Sequence, residues 1–183
     1  GSVEVEIISQ PHTEKAFRAF DWAKLLSKLS HDGWKSHDVE TCGQHFHFSR
    51  RYLGYNNNEI KNNAKKIVAF FQHYWDDMVK FSRRTPSQLH WCQNVDFEVN
   101  KDTEFRRLTG DRYRAVNLRN LFESSKKATI EFRLPRGTLN PKTFMANYDF
   151  LLHIVRHAKK ISWANLLNAK LWFKALDGIG TTE

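Results

Sequence analysis

Two short stretches carry the residues whose types and spacing could do chemistry. In Cys42-Gly43-Gln44-His45-Phe46-His47-Phe48-Ser49, the polar residues His45, His47 and Ser49 alternate with Phe46 and Phe48. Residues i and i+2 of a strand share a face, so the imidazoles and the hydroxyl are expected on one side and the phenyl rings on the other. Ile130-Glu131-Phe132-Arg133-Leu134 repeats the pattern, with Glu131 and Arg133 opposite the three apolar residues. Near the start of the chain, Glu4 and Glu6 alternate with Val3, Val5 and Ile7. A sheet with one wet face would account for the alternation alone. The make-up of that face is less ordinary, since His, His, Glu, Arg and Glu are cation ligands plus a phosphate binder. Carboxylates with imidazoles suit Mg²⁺ or Mn²⁺ when nucleotide phosphates fill the remaining positions. Zinc alone would need a third firm ligand beside the histidines, and only Glu40 and Cys42 stand near them in sequence.

Arginines supply a second signal. Arg112, Arg114, Arg119, Arg133 and Arg136 cluster around the last two expected strands. Guanidinium groups grip phosphate and carboxylate with two parallel hydrogen bonds. Gly137 permits a tight turn beside a ligand. The bland counterpart is a solvated basic face.

The elements that must position these residues are read from periodicity. Strands are expected over residues 3–9, 41–50, 113–121 and 128–134. A helix over 13–29 is broken near Asp21 and stopped by His31-Asp32-Gly33. The clearest helix runs over 59–82 behind a start signal at Asn56-Asn57-Asn58. Its apolar side carries Ile60, Ala64, Ile67, Phe71, Tyr74, Trp75, Met78 and Phe81, and Lys61, Lys65, Lys66, Asp76 and Lys80 are assigned to the wet side. A short helix is expected at 87–92 and an irregular polar loop at 101–112. Pro141 opens a helix to about residue 159, and a last helical stretch covers 163–175. The mixture predicts an α+β fold, an antiparallel sheet backed by helices.

The chain has 183 residues, enough for one domain with a real core. Its 14 Phe and 6 Trp point to an aromatic-rich core. No apolar run approaches the ~20 residues of a membrane helix, and no signal peptide is seen. Two cysteines in no metal or redox motif make a reduced, cytoplasmic protein the default. The net charge of +9 favours anionic partners such as nucleotides, nucleic acids or acidic surfaces.

The segments Glu6-Ile7-Ile8-Ser9-Gln10-Pro11, Cys42 to Arg50, Asn117-Leu118-Arg119-Asn120 and Thr129 to Leu139, with the helix ending at Arg84, resemble the amidoligase family in order and spacing. That family is related to glutamine synthetase and the glutamate-cysteine ligases. The resemblance implies a partly open antiparallel sheet, like the glutamine synthetase catalytic domain, cupping ATP and Mg²⁺ or Mn²⁺. It implies a ligase that phosphorylates a carboxylate with ATP and lets an amine attack the acyl phosphate. By the same resemblance Glu6 and Glu131 are metal ligands, and His45 contacts metal or phosphate. His47 and Ser49 lie towards the nucleotide. Arg133 and Arg136, with Glu131, form the catalytic group, the arginines holding phosphoryl or carboxylate. Arg114 and Asn117 contact substrate or phosphate.

There are departures. The family begins with an acidic Glu-x-Glu strand, which residues 1–183 are expected to lack within a single amidoligase-like domain. Residues 1–183 would then be a fragment, or another chain would complete the sheet, or the protein would be a remnant with another role. Gln44 replaces the family's usual leucine and is expected on the His-bearing face. An alternative reading is a catalytically inactive protein of the same fold whose basic surface binds nucleic acid or protein. A third is a His-x-His metal hydrolase with a third ligand close to His45 and His47.

Overall fold

The structure is a computed structural model that describes residues 5–37, 39–124 and 128–173. Among the described residues, six α-helices and three short strands are joined by four short 3₁₀ helices. The α-helices and strands are α1 (Glu14–Ala19), α2 (Trp22–His31), β1 (Phe46–Ser49), α3 (Asn57–His73), α4 (Trp75–Ser82), β2 (Val116–Asn117), β3 (Thr129–Phe132), α5 (Pro141–Ala158) and α6 (Ala169–Phe173). The strands form one antiparallel sheet in the order β1-β3-β2. This is the expected α+β class, with an open sheet backed by helices.

Caps fix where the helices begin. The side chain of Asn56 accepts the Glu59 N–H at 3.0 Å, while Glu59 reaches back to Asn56 Nδ2 and the Tyr55 N–H. Each such cap satisfies donors that the helix itself leaves orphaned. Asn140 does the same for α5 through the Thr143 N–H, with Pro141 as the first helical residue. Asp21 caps α2 through the Lys24 N–H, which places the break expected near Asp21 between α1 and α2.

Phe46, Phe48, Ile130, Phe132, Val116 and Leu118 are buried on the helix side of the sheet. Tyr148 of α5 packs 5.8 Å from Phe48, and Phe71 of α3 packs 5.6 Å from Phe132, between ring centroids. Trp172 of α6 is fully buried and packs 4.4 Å from Phe70. Ion pairs of Glu14 with Arg156 and of Arg18 with Asp149 hold α1 against α5.

Several expectations are corrected here. The described part of the 3–9 stretch forms no strand, and Val5, Ile7 and Ile8 are 55%, 62% and 79% exposed. Val3 and Glu4 lie outside the described residues. The strands are shorter than their patterns, since a strand ends where its ladder of hydrogen bonds ends and not where alternation does. The 59–82 helix is two helices, divided at Tyr74. Lys66, assigned to the wet side, is buried between α3 and α5. Its ammonium donates to Asn63 Oδ1 at 3.0 Å and to the Ala158 carbonyl at 3.2 Å. Gln44 faces α5, where it accepts from Asn147 Nδ2 at 2.6 Å. It has the parity of Phe46 and Phe48, so alternation itself sets it opposite the histidines. The 87–92 helix is a 3₁₀ helix over Pro86–Trp91. The expected 163–175 helix divides into a 3₁₀ turn, Trp163–Asn165, and α6, and its last residues lie outside the described ones.

Candidate active site on the open face of the sheet

Register builds the site. His47 of β1 and Asn117 of β2 are both cross-strand partners of Glu131, so the three stand in one row across the sheet. Their side chains project from the face opposite the phenyl rings. His45 lies two residues before His47 and Arg133 two residues after Glu131, which brings both to the same end of that face.

Glu131 is the hub. It is 8% exposed, although it sits on the polar side of the sheet. Asn117 Nδ2 donates to its Oε2 at 2.6 Å. Arg133 Nη1 donates to Oε1 at 2.9 Å. His45 Nδ1 stands 3.4 Å and His47 Nε2 3.8 Å from the same Oε1. His47 Nδ1 lies 3.2 Å from Thr129 Oγ1. In the tautomer where Nδ1 carries the proton and donates to Thr129, the Nε2 lone pair points to the hub, as a ligating imidazole requires.

The His45 imidazolium is disfavoured. Loss of water around the ring is the largest cause, the Arg133 guanidinium the next, and Glu131 opposes both, so its pKa falls to about 4. His45 is therefore neutral at pH 7, with a lone pair to offer.

Behind the site lies a residue whose role the sequence did not suggest. Arg84 is 6% exposed and follows Arg83, which ends α4 in the left-handed conformation with φ 58°. Its guanidinium donates to the carbonyls of Leu134 at 2.8 Å, Arg133 at 3.0 Å, and Pro135 and Gln88 at 3.4 Å. Three consecutive carbonyls of the β3 exit are thus gathered on one cation. Pro135 also accepts from the Gln44 N–H at 3.0 Å, which ties this turn to the strand that carries His45. Tyr113 is a second unforeseen neighbour, with its ring 5.9 Å from the Arg133 guanidinium carbon.

The structure therefore brings together His45, His47, Asn117, Glu131 and Arg133. Ser49 stands at the end of β1 beside Thr129 and accepts the Arg51 N–H at 3.4 Å. Arg136 lies beyond the end of β3, where its N–H donates to the Ser82 carbonyl. Arg114 does not join the group. It binds the Asn94 carbonyl, pairs with Asp96 at 3.1 Å and lies 3.5 Å from Asp111. Glu6 lies in an exposed segment outside the sheet. Among the described residues no group of three or more His, Cys, Asp or Glu side chains is set to hold a metal ion as it stands. Nor is any described helix long and apolar enough to cross a membrane.

Comparison of the chain with protein-family models, with curated proteins and with solved structures finds no match.

Proposed function

We propose that this chain is an ATP-dependent carboxylate–amine ligase whose nucleotide phosphates meet the polar face of the β1-β3-β2 sheet. The observation that carries the reading is the convergence of two imidazoles, an amide and a guanidinium on one nearly buried carboxylate, Glu131. The resemblance described from the sequence supports the same residues.

A divalent cation bound here would bridge phosphate oxygens and offset the charge that develops on them. The donor types suit such an ion. Ligand atoms roughly 2.1 Å from a shared ion lie roughly 3.0–3.4 Å from one another; His45 Nδ1, 3.4 Å from Glu131 Oε1, meets that spacing, and His47 Nε2, at 3.8 Å, would have to move closer. Glu131 would present Oε1 while Asn117 fixes Oε2. Neutral His45 and Thr129-oriented His47 would offer lone pairs. Two nitrogen donors shift the preference from Mg²⁺ towards Mn²⁺. Arg133 and Arg136 would grip the transferred phosphoryl group or the substrate carboxylate. In the reaction, a carboxylate oxygen attacks the γ-phosphorus and ADP leaves. The amine nitrogen then attacks the acyl carbon, phosphate leaves, and the amine gives up a proton. Strand β1 is an edge of the sheet, where a second chain could add a strand.

A second reading has one observation in its favour. Arg133 already neutralises Glu131, as a purely structural ion pair would. The chain would then be a binding protein of this fold with a basic surface for nucleic acid or protein.

The test is ADP release from ATP and Mn²⁺ in the presence of pooled carboxylates and amines, with hydroxylamine added to trap an acyl phosphate. The ligase reading expects ADP release that requires a carboxylate and is lost in His45→Ala and Glu131→Ala variants that melt normally. No carboxylate-dependent ADP release from the wild-type chain would favour the binding protein, and release unchanged in both variants would overturn the assignment of the site to His45 and Glu131.

A further inference from the structure

The hub oxygen of the site is contested. Glu131 Oε1 is approached by Arg133 Nη1 at 2.9 Å, and the two imidazole nitrogens lie just beyond. A metal ion drawing on that oxygen would compete with the guanidinium for it. Two cations on one carboxylate oxygen repel each other, so each weakens the other's hold.

The present pose of Arg133 is also incomplete. Its Nε is buried and has no hydrogen-bond partner. A buried donor without an acceptor is costly, and arginine recognises phosphate or carboxylate through paired N–H groups. The backbone of Arg133 is fixed, since its N–H donates to the Ala115 carbonyl at 2.9 Å and its own carbonyl is held by Arg84. Any adjustment therefore falls to the side chain, one wall of which is the Tyr113 ring.

Resting on the ligase reading for the identity of the anion, we propose that Arg133 is the resident cation of the site. It occupies Glu131 until a phosphate or carboxylate draws the guanidinium away, and a divalent cation binds only in its place. Metal and anion binding are coupled as a result. Metal alone binds weakly because it must expel Arg133, and anion alone binds weakly because it must pull Arg133 off Glu131. Together they relieve each other.

The experiment titrates Mn²⁺ alone, read by the electron paramagnetic resonance of the free ion, into the wild-type chain and four variants. Arg133→Met and Arg133→Gln are each expected to bind Mn²⁺ at least tenfold more tightly than wild type. Arg112→Met removes a nearby charge that stacks on Tyr113 and is expected to change the affinity less than threefold, which controls for general electrostatics. Adding Glu131→Ala to Arg133→Met should abolish the gain. Inorganic phosphate should tighten Mn²⁺ binding to the wild-type chain and not to Arg133→Met, a readout that does not depend on the variants alone. Unchanged or weaker Mn²⁺ binding in both Arg133 variants, a gain that survives loss of Glu131, or no phosphate effect on the wild type would overturn the proposal. The ligase reading is judged separately by ADP release, so the two can fail independently.

Discussion

At the scale of the residue, Glu131 and His45 carry the account. Glu131 is buried on a polar face because four side chains turn to it, so its burial is a property of the cluster and not of the strand. His45 shows the electrostatic consequence. Its ring loses water and faces Arg133, and its pKa drops to about 4. The unfolded chain takes up that proton near pH 6.5. The folded state is therefore favoured above pH 6.5, and this contribution is lost as pH falls from 6.5 towards 4. The side chain keeps 30% exposure, so screening by solvent trims the effect to on the order of 2 kcal/mol. Proton NMR of the imidazole signals should show one histidine, removed by His45→Gln, that stays neutral to below pH 5. A His45 signal titrating near 6.5 would contradict the arrangement. The pairing of His45, His47, Glu131 and Arg133 on one face was legible from alternation. The part played by Arg84 was not, because Arg83-Arg84 reads as a solvated helix end and its carbonyl partners lie about 50 residues along the chain.

At the scale of the element, the sheet is small and its precision comes from the turns around it. Gly43 bridges to Arg136, and a Cβ there would run into Arg84 Nη2 and stand 3.2 Å from His45 Nε2. A flexible arginine could step aside, but this one is held by four carbonyls. Gly43→Ala is therefore expected to cost about 1–3 kcal/mol in stability and to disturb the His45 titration, measured by denaturant melts and the same NMR experiment. A neutral substitution would mean that Arg84 is not fixed. Helix identities were readable from caps and spacing, but the division at Tyr74 was not. Met78 still donates to the Tyr74 carbonyl and Tyr74 to that of Phe70, so the apolar spacing runs through the break without a mark. The 3–9 stretch failed in the opposite way. It alternates like a strand, but alternation records only which side chains would share a face and cannot supply the neighbouring strand whose hydrogen bonds make one.

At the scale of the whole molecule, one sheet separates two chemistries. Its helix side is a continuous aromatic and aliphatic core from Phe46 to Trp172, and its other side gathers the ionisable groups. The aromatic count foretold the first and the strand polarity the second. Long-range burial of polar groups escaped the sequence. Lys66 keeps helical spacing with a wet side, and only the end of α5 reveals why its ammonium is inside. We propose that the polar side is a metal-dependent nucleotide site built on Glu131. The most direct measurement is calorimetric titration of a non-hydrolysable ATP analogue, with and without Mg²⁺ or Mn²⁺, into the wild-type chain and Glu131→Ala. The account predicts binding that requires the metal and falls at least tenfold in the variant while its melting stays cooperative. Equal binding by both chains, or no binding with either metal, would contradict it.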